Sequence, residues 1–189
     1  MNSRDSERAI IEEVLAGRTA SFRTLVERYQ RGVHAVVYRL TQSAAEADDL
    51  TQQAFLAAYD ALPQFKLDLK FSSWLFRIAV NLAKDHLKSK KRLEGGDQEL
   101  DECAEALFVP AASPPDEQAL ENERRTVLER ALLRLAWADR EVLVLKDIQE
   151  LSYDEIKQIL GRPVTALKIR VVRARQRLRA VLEQMGVDP

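Results

Sequence analysis

The 29 residues 151–179, "LSYDEIKQILGRPVTALKIRVVRARQRLR", constrain the fold more than any other stretch of this chain. They hold a short helical pattern, a Gly-Arg-Pro break and a long helical pattern. Ser152 and Glu155 stand three apart, the spacing of a capping box. There the hydroxyl accepts an early backbone N–H and the carboxylate reaches back to the cap. Ile156, Ile159 and Leu160 share the inner face of the first helix. Gly161 suits the left-handed residue at its end, and Pro163 suits the first turn of the next helix. In that second helix Val164, Leu167, Val171, Ala174, Leu178 and Val181 face the core. Thr165, Lys168, Ile169, Val172, Arg173 and Gln176 point outward.

Charge gives this pair of helices a use. Residues 163–179 carry six basic residues and no acidic one, in a chain whose net charge is -1. Two helices joined at a tight turn, the second one basic, have the layout of a DNA-binding helix-turn-helix, whose second helix enters the major groove. Lys168, Arg170 and Arg173 are placed for base edges or phosphates, and Arg175 and Arg177 for phosphates. A basic helix solvated on a bundle would account for the charges alone. The turn chemistry together with the charge favours the DNA reading.

The remaining sequence also has helical periodicity. Glycine and proline number six each among 189 residues of which 46% are hydrophobic, which suits an all-α chain with sizeable cores. Ile10, Ile11, Val14 and Leu15 form a short amphipathic face closed by Gly17. Ser21 is positioned to cap a helix whose apolar residues run from Phe22 and Leu25 to Val36, Val37 and Leu40. A third helix spans about 45–61, with Leu50, Ala54, Ala57 and Ala61 inward. A fourth runs from Ser72 or Ser73 to about Lys90, with Leu75, Ile78, Ala79 and Leu82 inward. Residues 94–117 hold eight acidic and no basic residues, with Gly95-Gly96, Pro110, Pro114 and Pro115, and read as a flexible linker. The period returns from about 118 with Leu120, Val127, Leu128, Ala131 and Leu135, then Val142, Leu143 and Leu145. The expected architecture is two small helical domains, 1–92 and 118–189, joined by an acidic tether at 93–117.

The first domain carries two further surface patterns. Trp74, Arg77, Asn81, Lys84 and Lys88 follow 3-4 spacing and share one helix face. Phe65 and Phe71 flank Lys66 and Lys70 in the loop before it. Aromatics interleaved with cations suit unstacked single-stranded bases: rings stack, amides read edges, cations hold phosphates. The alternative is that Trp74 and Phe71 are core residues, and for Trp74 alone the two readings weigh about equally. On the preceding helix, Asp48, Asp49, Gln52, Phe55 and Tyr59 make an acidic stripe beside an aromatic expected to be exposed. That stripe suits a basic helix of a protein partner.

Other chemistries find little support. One cysteine, Cys103, excludes an internal disulfide and a Cys-rich zinc site. His34 and His86 lie in helices without a ligand constellation. Asp48 and Asp49 diverge by about 100° around a helix and have no evident third ligand, which argues against a nucleic-acid enzyme. No metal and no cofactor is expected. No window reaches the roughly 20 apolar residues of a membrane span, so no membrane insertion is expected and the protein reads as cytoplasmic.

A single-strand reader, a protein-docking helix, an acidic tether and a duplex reader in one chain resemble the extracytoplasmic-function (ECF) sigma factors of bacterial RNA polymerase. "FRTLVERYQRGVHAVVYRLT" resembles their region 2.1 and "AEADDLTQQAFLAAYDAL" their region 2.2. "FSSWLFRIAVNLAKDHLKSKKR" is similar to regions 2.3–2.4, and the 151–179 stretch to region 4.2. The four occur in order and span nearly the whole chain.

The resemblance implies a non-enzymatic subunit that directs core polymerase to promoters. Asp48, Asp49, Gln52, Gln53 and Phe55 match positions that dock on the β′ clamp helices, with Gln53 where many members have Glu. Residues 64–71 match the loop that captures a flipped −10 base, and Asn81 a −10-reading asparagine. The second domain is implied to bind the β flap tip and to read −35 duplex with Lys168, Arg170 and Arg173. An anti-sigma factor, soluble or in the inner membrane, is implied as a further partner. The chain departs from the family at Ile169 and Val172, which offer apolar contacts suited to thymine methyls. It departs again at Lys157, which must snorkel outward, and at Leu135-Ala136-Trp137 in place of Leu-Pro, where a more continuous helix is expected. A stand-alone helix-turn-helix regulator remains the alternative; it leaves the first domain's patterns unused.

Overall fold

The computed structural model describes residues 3–93 and 117–187, so the linker expectation and Cys103 lie outside the described residues. Among the described residues all regular structure is helical: α1 (Ser3–Leu15), α2 (Phe22–Thr41), α3 (Ala44–Ala61) and α4 (Phe71–Leu93), then α5 (Glu117–Leu133), α6 (Trp137–Leu143), α7 (Tyr153–Leu160) and α8 (Val164–Gln184).

α2, α3 and α4 pack on one another because each carries an apolar stripe. Leu25, Val33, Val36, Val37 and Leu40 of α2 meet Leu50, Ala54 and Ala58 of α3 and Leu75, Ala79 and Ala83 of α4, all buried. α2 stops at Gln42, a left-handed residue (φ 57°) whose N–H donates to the Tyr38 carbonyl at 2.6 Å. α3 starts one residue later at Ser43, whose hydroxyl accepts the Glu46 N–H at 3.3 Å. Ser21 does not cap α2. It lies in a short 3-10 turn and its hydroxyl instead donates to Glu13 at 2.7 Å, so it ties α1 to the turn.

The helix-turn-helix has the local chemistry read from sequence. Ser152 and Glu155 form the reciprocal capping box, and Gly161 ends α7 with φ 67°. Pro163 stands one position earlier than expected, at the N-cap of α8. Lys157 is exposed, as its length requires. Residues 135–137 do not continue a helix. Ala136 is extended (ψ 147°) and α6 begins anew at Trp137. The physical cause is Arg140, whose guanidinium takes the carbonyls of Leu132 (2.9 Å), Leu133 (2.8 Å) and Leu135 (3.1 Å) and so caps α5 without a proline. Buried Trp137 donates from its indole N–H to Glu141 at 2.7 Å. One π-helical turn, Val144–Ile148, follows α6.

The two halves are in contact. α4 packs against α7 and α2 against α5 and the π turn. Lys70 donates to Glu155 at 2.8 Å, Tyr38 to Glu129 at 3.4 Å, and Arg140 to the Leu40 carbonyl at 3.0 Å.

Candidate nucleic-acid and protein interfaces

α8 is seated by Leu167, Val171 and Ala174, all buried, which leaves Thr165, Lys168, Ile169, Val172, Arg173 and Gln176 on its open side. Ile169 and Val172 are 55% and 54% exposed, an apolar pair in the middle of a basic face. The Lys168 ammonium lies 5.7 Å from the centre of the Tyr153 ring. Three of the four arginines expected to meet bases or phosphates, Arg170, Arg175 and Arg177, are paired with carboxylates of the chain, and Arg173 stays on the open face. Arg170 donates to Asp139 at 2.9 Å, Arg177 takes the other oxygen of the same carboxylate, and Arg175 grips Asp147 twice, at 3.0 and 2.5 Å. The Asp147 carboxylate holds the Arg175 guanidinium above its ordinary pKa.

The α4 face presents Arg77, Asn81 and Lys88 to solvent, with Lys84 half-buried among them. Lys66 is exposed in the preceding loop. Phe65 and Phe71 differ from expectation: they are 9% and 1% exposed and point inward. Their rings lie 5.8 Å apart and 4.9 and 5.7 Å from Trp74, and Tyr29 stands 5.8 Å from Phe71. Burying each ring gains about 1.5–3 kcal/mol and clustered rings gain somewhat more. The pair therefore forms the wall behind half-buried Trp74 rather than a platform for bases. Lys70 is held by Glu155. Burial raises that carboxyl's pKa, but the Lys70 and Ser152 hydrogen bonds outweigh burial and hold it at about 2.

On α3, Asp48, Asp49, Gln52 and Gln53 are exposed, and Asp48 meets the His34 ring nitrogen at 3.1 Å. Phe55 is corrected: it is 6% exposed, because its position falls on the buried stripe with Leu50, Ala54 and Ala58. The apolar surface beside the acids comes from Leu56, 58% exposed, and Tyr59, 36% exposed, which stacks edge-on to Phe22 at 5.2 Å. These residues line a groove of about 690 Å³ between α2 and α3, with Val26 and Gln52.

Sequence reasoning did not single out Leu56 as an exposed apolar residue of the groove, nor Asp139, Asp147 and Glu155 as partners of the basic residues. Leu56 was discoverable as a large apolar residue off the buried stripe. Asp139 was discoverable as an acid within 135–145, a stretch that is apolar apart from Asp139, Arg140 and Glu141, since a buried carboxylate needs a partner. Among the described residues, no group of acids, histidines or cysteines is arranged to hold a metal ion, and no helix is long and apolar enough to cross a membrane.

Two family models match the chain: Sigma-70 region 2 over residues 25–93 and Sigma-70, region 4 over residues 125–178. The "RNA polymerase sigma-H factor" of Pseudomonas aeruginosa is 30% identical over 189 residues, covering 98% of each chain. The "ECF RNA polymerase sigma factor SigW" of Bacillus subtilis is 34% identical over 180 residues, covering 93% of this chain and 96% of that protein. Among solved structures, CnrH in complex with the cytosolic domain of CnrY superposes with a TM-score of 0.70 at 27% identity, covering 94% of this chain and 97% of that one.

Proposed function

The chain belongs to the ECF sigma factors of bacterial RNA polymerase, and from that premise we propose how its surfaces divide the work of promoter-specific initiation. It supplies sequence choice and no chemistry of its own; the polymerase core is the enzyme. Residues 1–92 bind core and open the −10 element, 118–189 read the −35 duplex, and 93–117 tether them.

α8 enters the −35 major groove. Thr165, Lys168, Ile169, Val172 and Arg173 face the bases, and phosphate contacts on that helix make the affinity fall with salt. The α4 face then holds unpaired −10 bases, with Trp74 stacking and Asn81 reading an edge. Arg77, Lys84, Lys88 and Lys66 neutralise phosphate. Capture of that kind offsets a few kcal/mol of unstacking per base. The α3 acids and the groove at Leu56 and Tyr59 meet the basic β′ clamp helices, and the second domain meets the β flap tip. The site of action is the cytoplasm.

An anti-sigma factor is proposed as regulator, supported by the likeness to CnrH, which was solved in complex with the cytosolic domain of CnrY. The contact of α4 with α7 supports an off state in which −10 and −35 readers are held together. In this proposal the domains part on polymerase, so that the two readers can reach separate promoter elements.

The observation that carries this reading is the pairing, in one chain, of an exposed Arg77–Asn81 face with an open apolar-basic α8 face. Permanganate reactivity of promoter thymines tests it. Holoenzyme made with this chain should render −10 thymines reactive, and Asn81→Ala should reduce that reactivity. Duplex binding without any melting would favour the stand-alone regulator.

A further inference from the structure

The cleft beside α8, about 350 Å³, is lined by Arg162, Ile169, Arg170, Arg173, Arg177 and Asp139. Four arginines line it beside the Asp139 carboxylate, which is 1% exposed; Arg170 and Arg177 contact that carboxylate, and Arg162 lies 3.7 Å from Glu141. Asp139 accepts from Arg170 through one oxygen and from Arg177 through the other, so both its oxygens are spent on α8. Arg170 and Arg177 lie seven residues apart, two turns along the same side of the helix. On the other flank Asp147 takes Arg175 with both oxygens. Three arginines of the basic helix thus carry a counter-anion from outside it and Arg179 pairs within it with Glu183 at 3.1 Å, while Arg173, Ile169, Val172 and Thr165 on the open face do not take part in these pairs.

We propose that Asp139 and Asp147 are specificity-determining residues: they withhold Arg170, Arg177 and Arg175 from phosphate and leave sequence reading to the open face of α8. This rests on the reading of α8 as the −35 helix. Phosphate contacts supply affinity without sequence information, whereas base-edge and methyl contacts supply discrimination. A helix whose six basic residues all sought phosphate would bind any duplex. Masking three of them lowers that indiscriminate part and leaves the contacts made by Ile169, Val172 and Arg173 intact. The arrangement costs little, because each carboxylate is satisfied by guanidinium donors in bidentate or bridging geometry.

The test compares holoenzymes reconstituted from bacterial core polymerase with the wild-type chain, Asp139→Asn, Asp147→Asn, the double variant, and Glu12→Gln as a charge-matched control on distant α1. Affinity for a promoter duplex and for a scrambled duplex is measured by fluorescence anisotropy from 50 to 200 mM salt. Each freed arginine should steepen the log–log salt slope by about 0.9, so across that range Asp147→Asn, which frees one, should lose an extra factor of about 3.5, Asp139→Asn, which frees two, about 12, and the double variant about 40. The ratio of promoter to scrambled affinity should fall in the same order, and Glu12→Gln should match wild type. Asp147 is on the surface, so its variant keeps the test informative if Asp139→Asn fails to fold. Wild-type holoenzyme that initiates specifically, with slopes unchanged or shallower in the Asp147→Asn and folded Asp139→Asn variants, overturns the masking role and leaves the −35 reading standing. Wild-type holoenzyme with no promoter preference at all removes both.

Discussion

The guanidinium of Arg140 donates to the carbonyl of Leu40, 100 residues earlier in the chain, at 3.0 Å. The same group caps the end of α5 through the carbonyls of Leu132, Leu133 and Leu135. It is 7% exposed, and these contacts are carbonyls rather than a carboxylate, so burial pulls its pKa down to about 10 and it stays charged at neutral pH. One side chain therefore ends a helix in the second domain and attaches that domain to the end of α2.

Arg140→Met should destabilise the chain by about 3 kcal/mol or more, because it strands buried carbonyls that a thioether cannot satisfy. Urea unfolding of the full chain measures this. Arg140→Lys should recover less than half of the loss, since a single ammonium cannot span the four acceptors.

Lys70→Met should raise the Glu155 pKa from about 2 toward its ordinary 4.5, because the Lys70 hydrogen bond is its largest stabilising partner. The sign follows from linkage: a depressed carboxyl pKa contributes stability that is full above about 4.5 and is lost as pH falls toward about 2. Carboxyl-carbon NMR titration reads the shift. A second readout is the distance between probes on α3 and α8, which should broaden in Lys70→Met if that pair helps hold α4 against α7.

Leu56 and Phe55 are neighbours in sequence with opposite consequences. Leu56→Asp should weaken core polymerase binding at least tenfold while leaving the melting temperature within a degree or two, because a 58% exposed side chain contributes little to the core. Phe55→Ala should cost about 3–5 kcal/mol of stability by opening a cavity. Polymerase affinity and thermal unfolding, measured together, separate the two.

Ile169→Ser and Val172→Ser should each change promoter preference rather than overall affinity. Losing an apolar contact to a thymine methyl alters discrimination at one base pair by about 1–3 kcal/mol. Comparing −35 sequences selected by wild type and variants from a pooled library checks this; unchanged selection would place both residues off the bases.

Local chemistry made the helix-turn-helix legible in the sequence: Ser152, Glu155 and Gly161 act within a few residues of one another. The four helices of the first domain were legible because their apolar stripes are sustained. What the sequence left undecided depends on distant partners. Phe65 and Phe71 each adjoin a lysine in sequence and Phe55 lies about two turns after Asp48 and Asp49, yet folding turns each ring toward the core. Asp139 finds Arg170 and Arg177 across 31 and 38 residues, so nothing local marks those arginines as paired. The break at Ala136 was misread because its cause, Arg140, acts from the following helix.

The most direct test is in vitro transcription with bacterial core polymerase on a pooled promoter library, with and without this chain. The account predicts new start sites that share a −10 and a −35 element and that disappear when the chain is omitted. Duplex binding by the chain with no start sites on core polymerase would contradict it.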